Sequence, residues 1–407
     1  MVISKKKLLT LVVLVVIIAA VFLVFKIAGT KPITQNLVLP TGFKIETYID
    51  NLNSPRAIEF DAKGRMLVSE TKAGNVLVIE GQKKSILLGD LRSPHGLAFY
   101  TDPKTKITYL YIAETHQVNR YVYDVDQGKI TGKGENIAKL SEGGEHFMHS
   151  IAFGPNYRNN PIIRGSSINT LAEIKLYISV GSSCDVCIED TWKRAAILES
   201  DPEGNYLAEF AGGLRDAEFF TFNPITKEIW ATETSRSSLG NGLPPDEVNI
   251  IKGPDQLDQF GAKRYGWPFC YGDKIKDTSF NPGKYTRTDL MEDCSKTAAP
   301  VIELPAHSAP LGLIFIPSTS KFPSDWQGDL LIAYHGSSVD GDAVGYKLVR
   351  FKQDSTGNYK YAGDLVSGWA ENDKILGQPV DLKFGPDGAL YISDDFSEVV
   401  YRISPFK

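Results

Sequence analysis

From residue 43 onward the chain repeats one hydrophobic pattern six times. Each copy has a polar residue, a short apolar run ending near Phe, a turn, a second apolar strand, and a polar or acidic end. The copies are Arg56-AIEFDAKGRMLVSE, His95-GLAFYTDPKTKITYLYIAE, His149-SIAFGP…KLYISVGSS, Arg215-DAEFFTFNPITKEIWATE, Leu311-GLIFIP…GDLLIAYHGS and Val380-DLKFGPDGALYISDD. Short apolar or alternating runs bounded by Gly, Pro and Asp predict strands rather than helices. Strand–turn–strand units at irregular intervals predict an all-β, six-bladed β-propeller with variable insertions. Outer strands are legible as GNVLVIE, VNRYVYD, AAILESD and GYKLVRFK. FKIETYI precedes the first copy and VVYRI follows the last. Pairing these two in one blade closes the ring and removes an open sheet edge. Two insertions stand out, 155–173 and 237–306; the second is rich in Gly, Pro and Asp and is a candidate wall for a binding site.

The repeat also sorts the polar residues. In a propeller, inner strands start and second strands end at the same mouth of the central channel. All six histidines, His95, His116, His146, His149, His307 and His335, fall at or near such ends. Arg56 and Arg215 occupy opening positions, while Glu70, Glu114, Glu233, Asp394 and Asp395 occupy closing ones. A ring of bases with interleaved carboxylates suits an anionic ligand, a metal, or both. Each acidic residue has the plainer alternative of capping a turn. Asp246 and Glu247 in LPPDEVN read equally as oxygen ligands for calcium or as a solvated acidic turn.

The N-terminus adds a second element. Lys5, Lys6 and Lys7 precede an apolar run from Leu8 to Phe25, closed by Lys26. Such a run nearly spans a bilayer, with the basic end inside. The chain therefore divides into a cytoplasmic tail (1–7), a transmembrane anchor or signal (8–26), a linker (27–36) and a propeller domain (37–407). A cleaved signal peptide is the competing reading, which makes the domain secreted. Either way the domain is extracytoplasmic, and the four cysteines fit that compartment. Two local disulfides, Cys184 with Cys187 and Cys270 with Cys294, are expected; a redox CxxC and a zinc site are the weaker readings. The net charge of −5 argues against nucleic acid. No Gly-rich cradle of Rossmann type and no GxSxG elbow is present.

These motifs together resemble one family. LPTGFKIETYI, KLYISVGSSCDVCIED with RAAILESDPEGN, GGLRDAEFF, LPPDEVN, YGWPFCYG, AHSAPLGLIF and QPVDLKFGPDGALYISDD are similar to the glucose/sorbosone dehydrogenases, soluble aldose or sorbosone dehydrogenases that use pyrroloquinoline quinone. The resemblance implies oxidation of an aldose or sorbosone-like sugar aldehyde, by hydride transfer to the quinone in the presence of calcium. It implies His146 as general base and Arg215 as the cation facing the reacting carbonyl. Quinone contacts are implied for Arg56, His95, His149, Arg215, Asp216, His335 and Gln378. Calcium is implied at Ser235 and Arg236, with a second ion near Asp246, Glu247 and Tyr265. A respiratory electron acceptor follows. Two positions depart from the family pattern: Asp216 stands where Asn is usual, and Gln378 where Arg is usual. These departures point to the alternative of a non-catalytic binding module that has lost the cofactor. A calcium-dependent lactonase is the remaining alternative, one that needs carboxylates converging on the channel axis.

Overall fold

The computed structural model describes residues 33–157, 174–253, 262–285, 287, 290, 292–339, 342–372 and 374–406. The chain forms two compact units, Met1–Leu37 and Val38–Lys407. The first contributes only the short turn of 3-10 helix Ile33–Gln35 to the description. The membrane segment expected at 8–26 lies outside the described residues, and none of their helices is long and apolar enough to cross a membrane.

The second unit is the six-bladed propeller. Blade 1 is Pro55–Phe60, Met66–Glu70, Asn75–Glu80 and Lys83–Leu88. Blade 2 is Leu97–Thr101, Thr108–Glu114, Gln117–Asp124 and Lys129–Lys139. Blade 3 is Ile151–Pro155, Ile174–Val180, Ala196–Ser200 and Ala208–Gly212. Blade 4 is Phe220–Phe222, Ile229–Glu233, Asp246–Ile251 and Ile302–Leu304. Blade 5 is Pro310–Phe315, Leu330–Tyr334, Lys347–Gln353 and Tyr359–Val366. Blade 6 is Pro379–Phe384, Leu390–Asp394 and Val399–Pro405, with Phe43–Ile49 as its outer strand. The closure expected from FKIETYI and VVYRI is present, with Phe43 opposite Pro405 in an antiparallel pair.

Side-chain alternation explains why the second strands read as continuous apolar runs. Met66 and Val68 pack with Tyr391 and Val400 of blade 6. Leu67, between them, packs with Leu97 and Leu110 of blade 2. Each second strand is thus covered on both faces by neighbouring blades, and a polar residue on either face loses burial. The small hydroxyl near the end of several of these strands has its own task. Ser179 Oγ accepts from Ser150 N at 2.8 Å and donates to Glu218 O of blade 4 at 2.9 Å. Thr232 Oγ1 donates to Leu311 O of blade 5 at 2.6 Å. Ser393 Oγ accepts from Asp381 N at 3.0 Å and donates to Arg56 O of blade 1. These hydroxyls latch one inner strand to the next around the channel. Gly96 serves the same approach, because a Cβ there would lie 2.7 Å from His149 O.

The 237–306 insertion differs from the expected loop. It carries the two outer strands of blade 4, and Lys263–Arg264 adds a fifth strand to blade 3, parallel to Ala208–Gly212. The run DEVNII was hidden by the Pro- and Gly-rich flanks around it. Both local disulfides form, Cys184–Cys187 and Cys270–Cys294. Most of the 155–173 insertion lies outside the described residues.

Candidate active site

At the channel mouth the blades bring their polar ends into one network. Arg56 opens blade 1 and is buried. It donates through Nη1 to Asp395 Oδ2 at 2.7 Å and through Nη2 to Glu218 Oε1. His95 stands beside it, with Nε2 2.6 Å from the same Glu218 oxygen and Nδ1 donating to His149 O at 3.1 Å. On the other side His335 lies 3.1 Å from Asp395 Oδ1 through Nε2. The Gln378 amide donates to His335 Nδ1 at 3.2 Å, which leaves the His335 proton on Nε2, facing Asp395. Gln378, His335, Asp395, Arg56, Glu218 and His95 therefore form one hydrogen-bonded chain spanning blades 6, 5, 1, 4 and 2.

The electrostatics follow from burial and pairing. Burial alone would push Glu218 up, but Arg56 and His95 hold it well below the usual carboxylate range. Asp395 is likewise lowered, burial being outweighed by His335 and Arg56. Both are ionised at neutral pH and neutralise the cations beside them. The mouth is therefore balanced rather than basic. His149 adds no charge: burial pulls it down to about 4, and its Nε2 donates to Thr115 O at 3.1 Å.

A second group lies on the adjoining loops. His146 Nδ1 is 3.1 Å from Ser182 O and 2.9 Å from Ser182 Oγ. The Ser182 hydroxyl donates to Cys184 O at 2.7 Å, so its oxygen is left to accept from His146. That arrangement puts the ring proton on Nδ1 and leaves the Nε2 lone pair free. Nε2 lies 3.9 Å from Asp216 Oδ2. Asp216 is raised by burial and feels His146, Glu218, Arg215 and Arg56, which ties the two groups into one site. Gly181 allows His146 to sit close, since a Cβ there would be 2.5 Å from His146 Cβ. The Arg215 guanidinium is held through all three of its nitrogens. It donates to Asp185 O at 3.0 Å, to Asp185 Oδ1 at 2.9 Å and to Thr234 O at 3.0 Å.

The calcium positions separate. Ser235 is fixed by N–H donation to Asp246 Oδ1 at 2.8 Å and by Oγ donation to Pro245 O at 2.7 Å. Arg236 is held by Asp277, Ser238 and Ser279. The other Asp246 oxygen accepts from Ser308 and Ala309, so this side chain ties the loops of blades 4 and 5 together. The Tyr265 hydroxyl donates to Ile250 O and accepts from Lys252 N. Glu247 and Tyr265 nonetheless line one small cavity of about 20 Å³, together with Arg215, Glu233, Ser235 and Arg236. Burial, then the neighbouring Glu247, pushes Glu233 well up; burial raises Glu247 to about 7. Asn249 donates to both carboxylates, and its own buried Oδ1 has no partner. Glu233 also accepts from Arg215 N at 2.8 Å and Glu247 from Gly272 N at 2.7 Å, and the two raised carboxylates are oxygen ligands of the kind a hard cation such as calcium takes.

Glu218, Asp185 and Ser182 were not singled out by sequence reasoning. Glu218 follows Asp216 by two, the period of a strand, and lies inside the GGLRDAEFF motif. Asp185 lies inside the CDVC loop, where the sequence signal is that of the cysteines. Among the described residues, the one group of three metal-type ligands within 4.8 Å is Cys184, Cys187 and Glu189, and its sulfurs are bonded to each other.

A family model described as TrAA12-like matches residues 37–405, and the chain belongs to that family. It is 28% identical to an uncharacterized protein of Borreliella burgdorferi, over 94% of this chain and 95% of that one. It is 24% identical to a pyrroloquinoline quinone-dependent sugar dehydrogenase of Hypocrea jecorina, over 58% of this chain and 57% of that one. Its fold matches the holo form of the pyranose dehydrogenase PQQ domain from Coprinopsis cinerea with a TM-score of 0.69 and 20% identity, covering 90% of this chain and 97% of that one.

Proposed function

We propose that the chain is a quinone-dependent sugar oxidoreductase acting on an aldose or a sorbosone-like sugar aldehyde. The observation that carries this reading is the fixed tautomer of His146, with its free Nε2 beside Asp216 at the channel mouth. Nε2 accepts the sugar hydroxyl proton, and the Asp216 carboxylate stabilises the imidazolium that results. Arg215, pinned by Asp185, offers a fixed positive charge near developing negative charge. When bound, pyrroloquinoline quinone supplies the two-electron oxidant and calcium the Lewis acid.

The donor set suits the quinone when a divalent cation accompanies it. The Gln378 amide and Arg56 keep further N–H donors for carboxylates, His335 already donates to Asp395, and Glu218 and Asp395 would repel a bare trianion. Calcium held at the Ser235–Arg236 turn, which Asp246 and Pro245 fix, would offset that repulsion. The extracytoplasmic placement is part of the proposal, supported by the two disulfides and by the basic and apolar N-terminal run. So is transfer of electrons to a respiratory acceptor.

The test is to titrate quinone and calcium, separately and together, into the purified protein and to follow sugar-dependent dye reduction. Joint, calcium-dependent retention of the quinone with dye reduction is expected. No retention and no reduction with any aldose or sugar aldehyde would overturn the reading. One observation favours a second reading, a binding module without cofactor: the mouth cations are already neutralised by Glu218 and Asp395. Sugar binding by calorimetry without quinone retention would select it.

A further inference from the structure

We infer that the Cys184–Cys187 loop is the positioning element of this site, setting the His146 tautomer and the direction of Arg215 together. The inference rests on the reading of His146 as the base. The loop follows the second strand of blade 3, and residues 181–189 have no ladder of strand hydrogen bonds and no helix. Most of its side chains are half-buried, and its apolar anchor is Ile188, packed on the cluster of Phe269, Cys270 and Cys294. Its covalent closure spans a sequence separation of only 3 residues.

Two arms leave this short ring. On one, the Cys184 carbonyl accepts the Ser182 hydroxyl proton at 2.7 Å. That contact turns Ser182 Oγ into an acceptor, which joins the Ser182 carbonyl in holding the His146 proton on Nδ1. Free to rotate, the hydroxyl would compete with the Ser182 carbonyl for Nδ1 by donating to it, which favours the opposite tautomer with Nε2 protonated. On the other arm, Asp185 takes Arg215 on both its backbone carbonyl and its carboxylate. The carboxylate also accepts from Ser237 N at 2.7 Å and Ser238 Oγ at 2.6 Å, and the carbonyl accepts from Trp267 Nε1 at 3.1 Å. One four-residue loop thus anchors the base of blade 3, the arginine of blade 4 and the 237–238 turn. The second disulfide differs. Cys270 and Cys294 are buried with Phe269 in an apolar cluster with Phe280 and Tyr285, which meets the 181–189 loop only through Ile188, beyond the Cys184–Cys187 ring.

The experiment reads the His146 tautomer by ¹⁵N NMR of the histidine-labelled full chain, without quinone or sugar, with His146→Asn to assign the signal. The wild type is expected to show a proton on Nδ1 and a bare Nε2. In Cys184→Ser/Cys187→Ser the population shifts toward the Nε2-protonated form, and kcat falls at least tenfold with a smaller change in KM. In Cys270→Ser/Cys294→Ser the tautomer stays as in the wild type while Tm falls. If the first pair fails to fold, the folded wild type is treated with a water-soluble trialkylphosphine. The phosphine gives up two electrons and takes oxygen from water to become its oxide, and the disulfide gains two electrons and two protons to become two thiols. Mass mapping shows which disulfide has opened, and the same tautomer shift is expected. An unchanged tautomer after loss of the 184–187 bond overturns the inference. Because the readout needs no turnover, a shifted tautomer in a protein that oxidises no sugar leaves the positioning intact and removes the proposed function. Sugar oxidation with an unmoved tautomer does the reverse.

Discussion

Around Arg56 the polar groups rise from the ends of inner and second strands; around His146 they stand on loops. Arg56, His95, Glu218, Asp395, His335 and Gln378 each sit at or within two residues of a blade strand. Their mutual contacts are those of a repeated scaffold, in which each blade delivers one polar end to the axis. His146, Ser182, Asp185 and the 234–238 turn lie in connections, and their geometry depends on a disulfide-closed loop. The first half is saturated: its cations already hold ionised carboxylates. The second half is poised, with a bare imidazole nitrogen and a carboxylate 3.9 Å away. A rigid, self-neutral ring beside a loop-built reactive edge is how a propeller separates stability from chemistry.

The comparison breaks most sharply at His146. His146→Asn is expected to lower kcat by about 10²–10⁴-fold, with the urea midpoint unchanged. Dye-reduction kinetics and denaturation curves on the same preparation check this. Arg56→Met is expected to act the other way round, on stability first. It leaves Glu218 with His95 and Asp395 with His335 but without the guanidinium between them, two buried carboxylates short of a cation, at about 3–5 kcal/mol. Adding Glu218→Gln and Asp395→Asn should recover most of the loss in the same denaturation assay.

A third prediction concerns pH. Glu247 has an ordinary value of 4.5 and lies at about 7 in the fold. The folded state keeps that proton longer than the unfolded chain, so stability is lost as pH rises from the ordinary carboxylate range to about 7. Glu233 acts in the same direction. Glu218 and Asp395 act oppositely, since their lowered values contribute stability that is lost in acid. Calcium-free protein should therefore be most stable in mild acid, and added calcium should raise Tm more at pH 8 than at pH 5. An equal rise at both pH values would remove the cation from the Glu233–Glu247 cavity. The smallest effect is expected at the blade latches. Ser393→Ala removes the acceptor for Asp381 N and the donor to Arg56 O. It should cost about 1 kcal/mol and leave kcat unchanged.

Most of the fold was legible because its cause is local. The continuous apolar run in MLVSE and its counterparts reports burial on both faces of a strand, and that burial recurs blade after blade. Closure by FKIETYI and VVYRI was legible because the partners are both short, alternating and terminal. Blade 4 was harder to read: DEVNII and IEL are separated by an insertion that also feeds a strand to blade 3. The polar ends were legible as a set, because the repeat places them at one mouth. Their pairing was not. Nothing in GGLRDAEFF indicates that Glu218, from blade 4, clasps Arg56 of blade 1 and His95 of blade 2.

The residue pattern alone determined a closed ring of six sheets, two local disulfides and a crowd of histidines and arginines at one mouth. Those features follow from periodicity and spacing, which are properties of neighbours along the chain. Tertiary structure alone decided that the mouth is charge-balanced, that His149 is neutral, and that His146 presents a bare Nε2. Protonation and charge depend on burial and on partners far apart in sequence, Arg56 with Asp395 and Glu218 above all, and those distances exist only once the ring has closed.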